Sequence, residues 1–181
     1  MFEAILARIA RQLDAAGLPY MVIGGQAILL YGEPSLTATI EVTIGATLDR
    51  LPEVLELVQA MGLDTLVDPD TFTRETMVLP CRDAGTEVRV DLIFAFSPYE
   101  RQALERTRSI EMGDTQVSFA SLEDVIIHKI IAGRPRDLED VKGMLVKNPT
   151  ADVTHMRAWL QDFAASLGEP FHERFERVLL E

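Results

Sequence analysis

The chain has 181 residues, 48% of them hydrophobic and 25% charged, and its 17 Lys and Arg against 29 Asp and Glu leave a formal net charge of −12. Such a length and balance describe one main globular domain with enough apolar residues for a sizeable core, and no apolar run approaches the ~20 residues of a membrane helix. The acidic balance repels nucleic acid at long range, which works against a DNA- or RNA-binding module while leaving room for a local basic cleft.

Residues 1–17, MFEAILARIARQLDAAG, carry apolar residues at helical spacing and predict a helix on the core; Glu3 and Asp14 set the segment apart from a secretory signal. Residues 20–23 form a β-rich run. Gly24 and Gly25 then predict a turn, followed by a short apolar helix over 26–31, a turn at 32–34 and a second strand over 37–44. A helix begins at 48 or 49, shows apolar residues at Leu51, Val54, Leu55, Leu57, Val58 and Met61, and ends at Gly62. Two β-rich runs, 77–81 and 87–94, are joined by 82–86, where Asp83-Ala84-Gly85 suits a hairpin loop with Gly85 at positive φ.

Ser97-Pro98 predicts the cap and first turn of a helix over 97–107, and 108–112 with 115–119 predict a hairpin about Gly113-Asp114. Ser121 opens an amphipathic helix ending at Gly133, and another runs from about 135 to about 147. From about 152 the chain reads as two helical segments divided by Gly168-Glu169-Pro170, with Trp159 in the core. The order predicts an α/β (α+β) fold. Its mixed-sheet core with flanking helices spans 1–120, and a helical C-terminal subdomain over 121–181 closes one wall of a cleft. Cys81 is the single cysteine, so no internal disulfide forms, a cysteine-based metal site is not expected, and a reducing, cytoplasmic setting fits.

Several residues carry chemistry in this pattern. Glycine lets backbone approach a ligand without a Cβ clash, and the open N–H groups of a helix start attract anions, so the Gly24-Gly25 turn suits a phosphate. Thr39 and Glu41 share one face of their strand. Asp91 stands in an otherwise apolar strand, where an ionised carboxylate is costly unless paired or metal-bound. Either it belongs to a site, or it is solvated near the strand end or paired with an arginine such as Arg89.

The run GGQAILLYGEPSLTATIEV, residues 24–42, resembles the opening motif of the AbiEii-like nucleotidyltransferases, relatives of the toxin half of some bacterial toxin–antitoxin pairs. That motif has a G-G or G-S turn, a helix ending in Y-G, then R-x-T-x-D-x-D. Gly24, Gly25, Tyr31, Gly32 and Thr37 match it, whereas Ser35 replaces the usual Arg, and Thr39 and Glu41 replace the two aspartates. VDLIF at Asp91 resembles the strand that brings a third carboxylate. EDVIIHKIIAGRPRDLEDV, with Asp124, Lys129, Arg134, Asp137 and Asp140, resembles the family's later D-x(3 to 4)-K, Arg and D-x-x-D features.

The resemblance implies a nucleotidyltransferase fold and a magnesium ion held by Glu41 and Asp91, with Thr39 at the departed ligand position. It further implies a nucleoside triphosphate held by Gly24, Gly25, Thr37, Lys129, Arg134 and Asp140, with Lys129 and Arg134 on its phosphates. Asp137 and Asp140 would orient those cations or lie near the acceptor, which would be an RNA or a protein, and an antitoxin protein would be a partner. Each residue also has a purely structural reading. Ser121 to Asp124 fits a capping box, Asp137 and Asp140 suit a helix N-terminus, and Lys129 could be an exposed helix lysine. His128 reads as a polar helix residue rather than a metal ligand, and Arg101, Arg106 and Arg108, interspersed with Glu100 and Glu105, read as a solvated face. Three functions follow: a magnesium-dependent nucleotidyltransferase, a catalytically silent binding domain of that fold, and an acid/base hydrolase using Asp91 and Glu41.

Overall fold

The computed structural model describes residues 1–32, 38–95 and 97–181; Glu33, Ser35 and Thr37 lie outside them. The described residues form two compact units, one comprising 1–26, 38–95 and 97–120, the other 27–32 and 121–181.

The first unit holds one mixed sheet, ordered β3 (Leu63–Thr65), β4 (Val78–Asp83), β5 (Arg89–Phe94), β2 (Thr39–Ile44), β1 (Tyr20–Ile23), β7 (Thr115–Phe119), β6 (Arg108–Met112) among the described residues. Its centre is β2 (Thr39–Ile44), antiparallel to β1 (Tyr20–Ile23) and parallel to β5 (Arg89–Phe94). Alternation fixes which side of these strands is core. Ile40, Val42 and Ile44 of β2, and Val90, Leu92 and Phe94 of β5, are fully buried on one face. Each such side chain contributes about 1.5–3 kcal/mol relative to exposure, and a one-residue slip would turn the whole set to the other face. That other face carries Thr39, Glu41, Arg89 and Asp91. Helix α1 (Phe2–Ala15) buries Ile5, Leu6, Ile9, Ala10 and Leu13, spaced as one helical stripe, and lies against β7 (Thr115–Phe119) and α3 (Leu51–Ala60). β6 (Arg108–Met112) pairs with β7 through a turn in which Gly113 takes φ 63°.

Several features depart from the sequence expectations. The segment after Gly62 forms a short edge strand β3 (Leu63–Thr65) and a helix α4 (Pro69–Thr76), neither of which was expected. Asp68 caps α4 by accepting from Asp70 N at 3.1 Å, and Pro69 occupies its first turn. The helix ends on Met77 in the left-handed conformation at φ 63°, where glycine is usual, so the sequence carries no stop signal there.

The hairpin between β4 (Val78–Asp83) and β5 does not place Gly85 at positive φ; Glu87 takes φ 67° instead. The cause is Asp83, whose Oδ2 accepts from Thr86 N at 2.9 Å and Thr86 Oγ1 at 2.7 Å, while its backbone bonds Glu87 N and Val88 O. Helix α5 (Pro98–Leu104) starts from the expected Ser97 cap, with Ser97 Oγ accepting from Glu100 N, but is shorter than 97–107.

The second unit packs α6 (Leu122–Ala132), α7 (Pro135–Lys147), α8 (Val153–Leu167) and α9 (Phe171–Leu180) around Ile126, Ile127, Ile130, Val141, Met144, Met156, Leu160 and Phe175. Trp159 is not in that core: it is partly exposed and stacks on Phe163 at 5.9 Å between centroids. Gly133 ends α6 at φ 65°. A Cβ there would lie 2.2 Å from Nη1 of Arg174, which donates to Ile130 O at 2.6 Å and Ile131 O at 3.3 Å. The guanidinium of α9 thus covers carbonyls at the negative end of α6.

Asp83 is the buried polar hub of the first unit. Its other oxygen accepts from Arg8 Nη2 at 2.7 Å, and Arg8 Nη1 also donates to Met61 O at 3.0 Å. Burial favours the neutral acid, but the bonds from Thr86 and Arg8 hold the carboxyl below its usual range. Asp83→Ala should therefore cost about 2–4 kcal/mol by leaving the Thr86 N–H, the Thr86 hydroxyl and the Arg8 guanidinium without their acceptor. Equilibrium urea denaturation beside the wild type measures it, and a loss under about 0.5 kcal/mol would mean the loop is held by something else.

Candidate functional site

The strand register brings the acidic residues of the first unit together. In the parallel β2–β5 ladder Glu41 lies opposite Asp91 and Thr39 opposite Arg89. On the other side of β2, Ile23 pairs with Glu41, and the chain turns at the next residue into α2 (Gly24–Tyr31). The two glycines therefore form the first turn of the helix, not a separate turn before it. Gly24 takes φ +66°, and a Cβ on it would lie 1.7 Å from Oε2 of Glu41. Only glycine meets both conditions. The carboxylate of Glu41 and the start of a helix, where backbone N–H groups have no partner within the helix itself, consequently share one place.

Asp91 Oδ1 accepts from Arg89 Nε at 2.9 Å; the Asp91 side chain is 16% exposed and that of Arg89 52%. Of the arrangements open to a carboxylate in this strand, pairing with arginine is thus present, on the same face as Glu41. β4 runs further than expected and adds Arg82 opposite Arg89 and Pro80 opposite Asp91. Arg82, expected in the loop, pairs with Glu87 at 3.1 Å. The signal for this basic row was the R-x-D spacing at Arg89, since i and i+2 share a strand face. Burial, with Asp91 and Asp64 nearby, pushes the Cys81 thiol up to about 12, so it offers no thiolate near neutral pH.

The donor set suits a hard divalent cation within limits. Glu41 and Asp91 are two adjacent carboxylates, the number that often suffices beside a phosphate substrate, and Thr39 adds a neutral oxygen at the i−2 position. No group of three or more His, Cys, Asp or Glu that could hold a metal gathers among the described residues. An ion here would take its remaining ligands from water and phosphate.

In the second unit the later motif closes on itself. Lys129 Nζ lies 2.9 Å from Asp137 Oδ1 and 3.2 Å from Asp140 Oδ2. Arg134 gives its backbone N–H to Asp137 Oδ2 at 3.1 Å, its Nε to the same oxygen at 2.7 Å and its Nη2 to Oδ1 at 3.2 Å. Asp137 is 1% exposed, whereas the Arg134 side chain is 74% exposed. Asp137 therefore both caps α7 and holds the two cations, while Asp140 reaches Lys129. Asp124 is buried in the cap of α6: Ser121 Oγ accepts from its N–H at 3.1 Å and donates to its Oδ2 at 2.8 Å. Burial pushes the His128 imidazole below its usual pKa, with Asp124 opposing, so near neutral pH it carries no charge.

The Tyr31-Gly32 pair has a packing role in this unit. Asn148 Nδ2 donates to Tyr31 O at 2.9 Å, and a Cβ on Gly32 would sit 3.0 Å from Met144 Cγ, so the end of α2 is fastened to α7. Burial works to raise the Asp137 carboxyl, but the bonds from Arg134 and Lys129 prevail and hold it at about 2. A depressed folded pKa contributes stability above the unfolded value near 4, and this is lost as pH falls toward about 2. Asp137→Asn should cost on the order of 2 kcal/mol at neutral pH, and its gap to the wild type should close across that acid window. Denaturant unfolding at stepped pH reads this directly; a gap independent of pH would contradict the assignment.

Comparison with known proteins bears on the fold and the family. No curated protein matches the chain. Among solved structures it is similar to the antibiotic-resistance factor ANT(2'')-Ia in solution, with TM-score 0.63, 16% identity and coverage of 94% of this chain and 97% of that one. A second is an antigenic nucleotidyltransferase-like protein from Paracoccidioides brasiliensis, with TM-score 0.58, 15% identity and coverage of 91% and 87%. The lincomycin-bound lincosamide antibiotic adenylyltransferase LnuA follows with TM-score 0.54, 15% identity and coverage of 78% and 94%. These likenesses show a nucleotidyltransferase fold. The profile described as "Nucleotidyltransferase of unknown function (DUF6036)" matches residues 2–174, and the chain belongs to that family.

Proposed function

We propose that the chain transfers a nucleoside monophosphate from a nucleoside triphosphate to an acceptor hydroxyl. One observation carries the reading: Glu41 and Asp91 meet at one register on parallel strands, beside a glycine that opens a helix. Glu41 and Asp91 would hold magnesium, which would supply positive charge to neutralise the phosphate oxygens. The bare backbone of Gly24 and Gly25 admits the phosphates to the start of α2. On the AbiEii-like resemblance, Lys129, as a point charge, and Arg134, as a fork, would contact phosphate oxygens, with Asp137 and Asp140 orienting them. In the transfer the acceptor oxygen bonds the α-phosphorus, the bond to the β-phosphate oxygen breaks, pyrophosphate leaves, and the acceptor proton passes to a carboxylate or to water.

The RNA or protein acceptor, the toxin role, the antitoxin partner and a cytoplasmic location rest on the AbiEii-like resemblance and the single cysteine. Among the described residues no helix is long and apolar enough to cross a membrane. Structurally similar proteins include ANT(2'')-Ia in complex with adenylyl-2''-tobramycin and lincomycin-bound LnuA, so small hydroxylated molecules belong beside RNA and protein in any acceptor screen.

A second reading has its own observation. Thr39 offers no charge, and Arg89 already engages Asp91, as would suit a silent domain that binds without turnover.

Labelled triphosphates incubated with magnesium and candidate acceptors test the first reading. Glu41→Gln and Asp91→Asn should each lower transfer by more than about tenfold to a hundredfold, and failure of any triphosphate to bind at millimolar concentration would sink it. A Thr39→Asp, Glu41→Asp double variant separates the two readings. A silent domain should gain magnesium and nucleotide affinity, while equally tight binding by variant and wild type would count against silence.

A further inference from the structure

The face that carries Glu41 and Asp91 also carries a second line of residues one step along the strands. Thr39 of β2, Arg89 of β5 and Arg82 of β4 stand at one register, next to the line of Glu41, Asp91 and Pro80. Carboxylates and guanidinium groups thus lie side by side on a single sheet face. Arg89 joins the lines by placing Nε 2.9 Å from Asp91 Oδ1.

We propose that Arg89 is the resident counter-cation of Asp91, giving way when a divalent ion arrives with polyphosphate and moving its fork onto the phosphate oxygens. The inference rests on the polyphosphate reading above. A guanidinium in contact with Asp91 and a divalent ion on the same carboxylate are like charges competing for one anion, so each weakens the other. With half its side chain exposed, Arg89 can leave Asp91 without opening the core. Neither Thr39 nor Arg82, its neighbours at that register, bears negative charge. A phosphate brought to the helix start offers a pair of oxygens that the planar guanidinium fork can engage together. Ion and polyphosphate binding are thereby coupled: each removes the obstacle to the other, reciprocally.

Arg89 is a positioning residue in this scheme, and binding tests it without turnover. Manganese binding is measured by titration calorimetry on the wild type, Arg89→Met and Arg89→Lys, with and without inorganic tripolyphosphate, after thermal melts confirm folding. Arg89→Met keeps the aliphatic stem and should bind manganese alone at least about fivefold tighter than the wild type. Tripolyphosphate should then raise the manganese affinity of the wild type more than that of the variant, with Arg89→Lys between them. If Arg89→Met binds manganese no tighter, the competition at Asp91 is overturned. If it binds tighter but tripolyphosphate helps both proteins equally, the movement onto phosphate is overturned. Failure of the transferase reading shows separately, as wild-type protein that ignores nucleoside triphosphates while the manganese difference between wild type and Arg89→Met persists.

Discussion

The approach of the Glu41 carboxylate to the α-carbon of Gly24 is the constraint on which the first unit's candidate site depends. It requires a residue without a side chain, at a backbone angle that other residues resist, at the junction of β1 and α2. It also requires the Ile23 to Glu41 pairing, which the alternating apolar residues of β2 enforce by burying Ile40, Val42 and Ile44. From there the parallel ladder leaves no choice about Asp91: it must lie next to Glu41. Core packing thus decides where the acidic groups meet.

The protein treats its carboxylates in two different ways. Asp83 and Asp137 are enclosed, and nearby donors hold each below its usual pKa range. Removing such groups costs stability, because their donors would be left without an acceptor. Glu41 and Asp91 stay partly open on a sheet face. An ion pair with a half-exposed arginine is a weak tie, easily exchanged for a better cation. Asp83 and Asp137 are thus closed off by their donors, whereas Glu41 and Asp91 keep part of their surface open to solvent.

Much of this was legible in the residues themselves. Runs of β-branched and aliphatic residues marked β2 and β5, Ser97 and Ser121 marked helix starts, and Gly113 marked the second hairpin. What eluded the sequence was non-local or lacked a punctuation residue. The parallel pairing of β2 with β5 joins segments about fifty residues apart, and no local pattern encodes its register. Helix α4 escaped because Met77 does the work usually given to glycine, and the left-handed residue of the β4–β5 loop moved to Glu87 because the Asp83 side chain shapes that turn. Lys129 looked like either a ligand contact or a surface lysine; its bond to a buried aspartate eight residues on could be seen only in three dimensions.

The guanidinium of Arg174 ties the last helix to the end of the helix that bears Lys129. Losing that guanidinium would bare the two carbonyls that directly follow Lys129 in the chain, so the end of α6 leans on a single side chain of α9 for cover.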